Sequence, residues 1–312
     1  MIIDNVYIYT PDKKFVKGGI ILKGEQIQAV YEAKDTPKFE EEVFDGNGAY
    51  AIPGLIDLHF HGCKGDDFCD GTKEAIGRIA EYEASIGVTA IAPATMTLPV
   101  EELEHILEVA AEYKKENTDK RRADLLGINM EGPFIAPEKK GAQNGAYIQA
   151  PSAETFRACQ QASGGLIKLV TLAPEMEGSV EFIKELKDEV HISVGHTTAD
   201  YDTAKAAFEA GADHVTHLYN AMPPLNHRAP GVIGAAADND HVYAELISDG
   251  LHIHGSAIRA AFRMFGPERI VLISDSMMAC GMENGEYELG GQKVFMKDRK
   301  ATLADGTLAG SA

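Results

Sequence analysis

The sequence predicts an α/β fold, a (β/α)8 TIM-like barrel preceded by a small N-terminal β-sandwich domain. Three observations carry that reading. From Ala51 onward, eight short apolar runs alternate with longer stretches whose apolar residues recur at helical spacing. Histidines and acids stand at or just past the carboxyl ends of those runs, where barrel active sites form. No G-x-G-x-x-G turn follows the first run, which disfavours an open doubly wound sheet.

Residues 1–50 read as the small β domain, with β-prone runs at 1–9, 19–22 and 26–31 separated by turn residues such as Gly18-Gly19 and Asp45-Gly46. Residues 51–312 read as the barrel. Its strands are expected at 54–59, 89–93, 125–131, 167–172, 191–195, 214–217, 243–248 and 270–274. Helices are expected between them, for example at 73–85, 100–115, 153–162 and 198–209. After Asp275 the alternation stops. Residues 281–307 read as a hairpin excursion, and no helix is recognisable after the eighth strand. A barrel without its last helix leaves an apolar face uncovered, so the C-terminal end is expected to be missing, and the small domain to be incomplete without its return strands.

A chain of 312 residues suffices for one barrel and a small accessory domain. Hydrophobic residues make up 45% and charged residues 25%, which excludes disordered and collagenous classes. With 48 acidic and 29 basic residues the net charge is −19, so nucleic acid and anionic membranes are not expected partners. An anionic small molecule remains compatible, because a few local cations and backbone N–H groups suffice to hold a phosphate. No apolar run approaches the ~20 residues of a membrane span, and the start shows no secretory pattern. A cytoplasmic protein is expected. Cys63, Cys69, Cys159 and Cys280 lack C-x-x-C spacing and are expected as free thiols.

The chemistry sits at the strand ends. The first strand ends in His59-Phe60-His61, and alternate residues of a strand point the same way, so both imidazoles can face one ion. The third ends in Glu131, the fifth in Gly195-His196-Thr197, the sixth in His217 and the eighth in Asp275. One histidine at a strand end is ordinarily structural, and one acid is ordinarily a cap. Six ligand-type residues from five strands point instead to a metal centre. Imidazole and carboxylate suit zinc, iron, manganese or cobalt. Glu131, His196 and His217 make one site; His59 and His61, with a bridging carboxylate, make a second. A water activated there is a nucleophile, and Asp275 can take its proton and deliver it to a leaving amine. No G-x-S-x-G elbow is present, which argues against a serine hydrolase.

These segments carry a resemblance. PGLIDLHFHG at 53–62 looks like the first strand of the amidohydrolase superfamily. MEGPF at 130–134, GHT at 195–197, THLYNAM at 216–222 and SDGLH at 248–252 are similar to its amino-sugar-phosphate deacetylases, along the whole chain. The resemblance implies hydrolysis of the acetamide of N-acetylglucosamine 6-phosphate, with one or two divalent ions per subunit and Asp275 as general acid/base. It implies substrate contacts from Ala142, Gln143, Asn220 and Ala221, and from a late loop of Leu308, Ala309 and Gly310. It also implies a phosphate site of Arg228 and His252, with His252 reaching across a homodimer into the neighbouring active site. The family commonly has histidine where Gln143 stands; glutamine donates a hydrogen bond but carries no charge. Lys168, on the fourth strand, is expected to be structural, since Glu131 occupies the bridging role. Two alternatives stay open on residues alone: another amide, such as N-acetylgalactosamine 6-phosphate or an N-acyl amino acid, and a catalytically silent, metal-stabilised binding protein.

Overall fold

Strand β1 (Ile2–Tyr9) buries Val6 and Ile8 and leaves Tyr7 and Tyr9 outside, the alternation of a sheet with one covered face. It organises the first of two units into which the chain divides, Met1–Leu55 and Ile56–Ala312. The structure is a computed structural model and describes residues 1–38 and 42–312. In the first unit β2 (Phe15–Lys23) pairs antiparallel with β1, and β3 (Gln26–Glu32) with β2. β4 (Val43–Asp45) and β5 (Tyr50–Ala51) run parallel to β1. The described residues of this unit form one five-stranded sheet, and the second sheet that a sandwich needs is not among them. On the sheet Tyr7 stacks on Tyr50 and Phe15 meets Tyr50 edge-on, with ring centroids 5.3 and 4.8 Å apart.

The second unit is the barrel. β6 (Leu55–Asp57) leads into a short hairpin of β7 (Gly62–Cys63) and β8 (Asp66–Asp67), then α1 (Lys73–Ser85), β9 (Val88–Ile91) and α2 (Val100–Glu116). The third barrel strand is broken in two, β10 (Asp124–Leu125) pairing with β9 and β11 (Ile128–Glu131) with the fourth strand. There follow α3 (Ala153–Ala162), β12 (Ile167–Leu172), α4 (Ser179–Leu186), β13 (His191–Val194), α5 (Tyr201–Ala210), β14 (His214–Val215), α6 (Gly231–Ala237), β15 (Tyr243–Ile247), α7 (Gly255–Phe265) and β16 (Ile270–Ile273). β11 to β16 form one continuous parallel sheet, and an Ala94–Asn129 bridge joins the third strand to the second. The end of the eighth strand returns to the first: Asp275 N–H donates to His59 O at 2.9 Å and His61 N–H to Ser276 O at 2.7 Å.

Strands buried on both faces explain the continuous apolar runs of β11, β12, β13 and β15. The helices bury one stripe each; in α2 it is Leu103, Ile106, Leu107, Ala110 and Tyr113, the 3.6-residue spacing visible in the sequence. Thr72, Ser152 and Asp200 cap α1, α3 and α5 through their side-chain oxygens. After β16 come three antiparallel strands, β17 (Gly285–Leu289), β18 (Gln292–Lys297) and β19 (Lys300–Thr302), rather than a helix. Ile56 of the first strand and Leu272 of the eighth are accordingly half exposed. Among the described residues no helix is long and apolar enough to cross a membrane.

Within this core, Glu83 near the end of α1 is a buried acid. Burial, and secondarily the negative charge of Asp57, push its carboxyl up to about 7. The folded value lies above the ordinary one of 4.5, so the folded state binds this proton more tightly than the unfolded chain does. Its contribution is fully present below about pH 4.5 and is lost as pH rises through about 7. Glu83→Gln is therefore expected to leave stability nearly unchanged at about pH 4 and to raise it by about 1–3 kcal/mol at about pH 8. Denaturant melts of both proteins across that range test it; a difference that does not vary with pH contradicts it.

Candidate metal centre

Every strand-end residue singled out in the sequence turns into the same mouth. The backbone at His196, His217 and Asp275 lies in the left-handed region, with φ of 47°, 29° and 49°. Non-glycine residues rarely adopt it, and such conformations persist where surrounding structure enforces them, often at sites. Each ends a strand and swings its side chain inward instead of continuing the pleat. Gly132, after Glu131, has φ 81°, and a Cβ there would lie 2.2 Å from Thr97 Oγ1. The E-G-P segment therefore requires glycine at its second position.

The outcome is two adjoining triads, Glu131–His196–His217 and His59–His61–Asp275, whose ligand-type atoms lie within 4.8 Å of one another in each. Glu131, 2% exposed, is the hinge between them. Its Oε1 lies 3.1 Å from His196 Nε2, 3.1 Å from His217 Nε2 and 3.3 Å from His59 Nε2; its Oε2 lies 3.2 Å from His61 Nε2. Asp275 Oδ1 is 3.5 Å from His61 Nε2 and 3.8 Å from His59 Nε2. Burial pushes the Glu131 carboxyl upward, but the imidazoles of His59 and His196 outweigh it and hold the group well below the ordinary carboxylate range. Glu245 behaves in the same way, burial being outweighed by His59 and His214.

The tautomers follow from the outer partners. His196 Nδ1 lies 2.7 Å from Lys139 O, and His59 Nδ1 lies 2.7 Å from Glu245 Oε2. A carbonyl and an ionised carboxylate only accept, so each Nδ1 carries a hydrogen, which makes Nε2 the ring atom that would face an ion. His59 Nε2 is fully buried and has no hydrogen-bond partner. Four imidazole Nε2 atoms around buried carboxylates, one of them orphaned, fit a transition-metal or zinc centre.

The centre opens into a cavity of about 540 Å³ whose lining includes His61, Glu131, His196, His217 and Asp275, with Ala142, Gln143, Asn220, Ala221, His252, Leu308, Ala309 and Gly310. His59 lies beneath it, wholly buried. Arg228 is not among the lining residues; it is exposed in the tight turn closed by Asn226 and Ala229. His252, expected to reach the neighbouring subunit's site, has a fixed place in its own chain. Its ring is tied to Asp249 at 2.8 Å, its N–H donates to the same carboxylate, and it lines the cavity of its own chain. Gln143 donates from Nε2 to Glu131 Oε2 at 2.8 Å and accepts from Thr97 N–H at 2.6 Å, so it holds the hinge carboxylate. Lys168 donates to Gly165 O from an exposed position, away from the metal centre. The four cysteines are free.

Sequence reasoning missed Glu245, Lys139 and Lys140. Glu245 left a signal, an acid in the middle of the apolar run YAELI of a buried strand. Lys139 and Lys140 line the cavity from a 3-10 turn and its end, and no sequence period marks such a position.

The amidohydrolase family signature matches residues 50–283. The chain belongs to that family, whose members are metal-dependent hydrolases. It is 40% identical to N-acetylglucosamine-6-phosphate deacetylase of Bacillus subtilis (strain 168), over all of this chain and 79% of the relative. It is 36% identical to N-acetylgalactosamine-6-phosphate deacetylase of Escherichia coli O157:H7, over 83% of this chain and 68% of the relative. A mutant N-acetyl-D-glucosamine-6-phosphate deacetylase from Mycobacterium smegmatis, solved in complex with N-acetyl-D-glucosamine-6-phosphate, superposes with a TM-score of 0.91 at 29% identity, covering all of this chain and 80% of that one. Within the amidohydrolases, this chain belongs with the N-acetylglucosamine-6-phosphate deacetylases.

Proposed function

We propose that the protein hydrolyses the acetamide of N-acetylglucosamine 6-phosphate to glucosamine 6-phosphate and acetate. The observation that carries this is the Glu131 carboxylate ringed by four imidazole Nε2 atoms, with Asp275 at the edge of a cavity sized for one sugar phosphate. Glu131, His196 and His217 would hold one divalent ion, and His59 and His61, sharing Glu131, a second; zinc, iron, manganese and cobalt suit these donors. When bound, the metal supplies Lewis-acid activation of water and of the acetamide carbonyl.

The chain's residues do the rest. Asp275 accepts the proton of the attacking water and passes it to the departing nitrogen, which leaves as an amine. Gln143 keeps Glu131 in place from the side facing the cavity. Asn220 and Ala221, with the Leu308–Ala309–Gly310 loop, border the sugar. Lys139 and Lys140 supply positive charge for the phosphate inside an otherwise strongly acidic chain, and His252 faces the same cavity. Arg228 lies outside its own chain's cavity and is assigned no part in it. A cytoplasmic homodimer is part of this reading through the family resemblance of the sequence, and the net charge of −19 supports a small-molecule substrate in place of nucleic acid or an anionic membrane.

Acetate release from N-acetylglucosamine 6-phosphate, with metal content measured on the same sample, tests this reading. Release that stops with chelator and returns with a divalent metal is the expected result; no release from fully metallated, folded protein contradicts it. The E. coli relative favours one second reading, N-acetylgalactosamine 6-phosphate, which differs only in the configuration of one hydroxyl. The same assay with both sugars ranks them by kcat/KM.

A further inference from the structure

Glu245 is wholly buried on β15, outside both ligand triads, and it touches both. Its Oε2 accepts from His59 Nδ1–H at 2.7 Å and from the backbone N–H of His217 at 3.0 Å. Its main-chain carbonyl accepts from Leu218 N–H at 2.8 Å. His217 and Tyr219 both have positive φ, 29° and 79°, so this residue pins a turn that the backbone alone disfavours. One acid thereby fixes the ring of a ligand in one triad and the main chain beneath a ligand in the other. His214 Nε2, 3.3 Å from Oε1, lies on β14, the strand that leads into His217.

We propose that Glu245 is a positioning residue for the metal centre: it locks His59 in the Nδ1–H tautomer and anchors the His217 turn, so the second ion depends on it. The proposal rests on the two-ion reading above. The physical case is the low dielectric around a group with no exposed surface. An ionised carboxylate there must be satisfied by donors, and the donors it has are both attached to ligands. Without it His59 is free to carry its hydrogen on Nε2, which removes the lone pair from the ion.

Titrating chelator-treated protein with zinc tests this. Wild type is expected to take up two ions. Glu245→Gln is expected to keep one and to bind the other about 10- to 100-fold more weakly, the loss found when an outer carboxylate is removed. His59→Asn is expected to lose the same ion, and the double variant to bind that ion no more weakly than His59→Asn alone, because toward this ion Glu245 acts through the His59 ring. Two zinc ions bound by E245Q with wild-type affinity overturn the proposal, as does an additive double variant. Wild type taking one zinc ion overturns the two-ion reading itself, before any variant is made. A second measurement needs no variant to fold: nitrogen NMR of histidine-labelled wild type is expected to show His59 protonated at Nδ1, and a proton on Nε2 instead overturns the assignment.

Discussion

Asp275→Asn lowers kcat for N-acetylglucosamine 6-phosphate by about 10³-fold or more, while metal content and KM change little. General acid–base catalysis contributes about 10²- to 10⁴-fold, and one residue here serves both proton transfers. The carboxylate stands within 3.8 Å of both His59 and His61, close enough to reach a water at the centre. Its backbone is held in a left-handed conformation by hydrogen bonds on both sides, N–H to His59 O and carbonyl from Ser311 N–H, so asparagine fits without rearrangement. Steady-state kinetics beside elemental analysis decides the matter. If the variant loses an ion together with its turnover, Asp275 is chiefly a ligand, and its position beside His59 and His61 takes on that meaning instead.

Glu131→Gln has the other large effect. The carboxylate belongs to one triad and contacts the imidazoles of both. Glutamine keeps the shape and the acceptor but removes the charge that attracts a cation into a buried site, and it adds an N–H facing His61 or Gln143. The variant is expected to lose both ions on gel filtration. Metal activation of water and carbonyl supplies several kcal/mol, and about 1.4 kcal/mol corresponds to tenfold, so activity falls by about 10³- to 10⁴-fold. A variant that retains two ions shows that the histidines suffice, and removes Glu131 from its place as bridge.

Much of the barrel was legible because its physics is local. Burial on two faces demands runs such as IKLVTL at Ile167–Leu172, and a helix facing such a strand demands the stripe of α2. The predicted bounds of α1 and α3 agree with the structure residue for residue, since caps at Thr72 and Ser152 mark their starts. The expected helix at 198–209 begins three residues later, at Tyr201, because Asp200 caps it and Glu175 engages Thr197 and Thr198 beforehand. The third strand broke at Leu126 and Gly127, where pairing passes from β9 to β12, a choice of neighbour that the strand's own residues do not encode.

The sequence by itself determined which ligand-type side chains stand at strand ends, because a residue's chemistry and its position in a repeating strand–helix unit are local properties. It also determined the excess of acid that argues against nucleic-acid partners. Only the tertiary structure decided who meets whom. It made Glu131 the hinge and turned Gln143 toward it. It left Arg228 outside the cavity and tethered His252 to Asp249 inside it. It placed Glu245 behind His59, 186 residues away in the chain. Those contacts arise where eight strands converge at one barrel mouth, and the separations they bridge carry no period that a linear sequence can display.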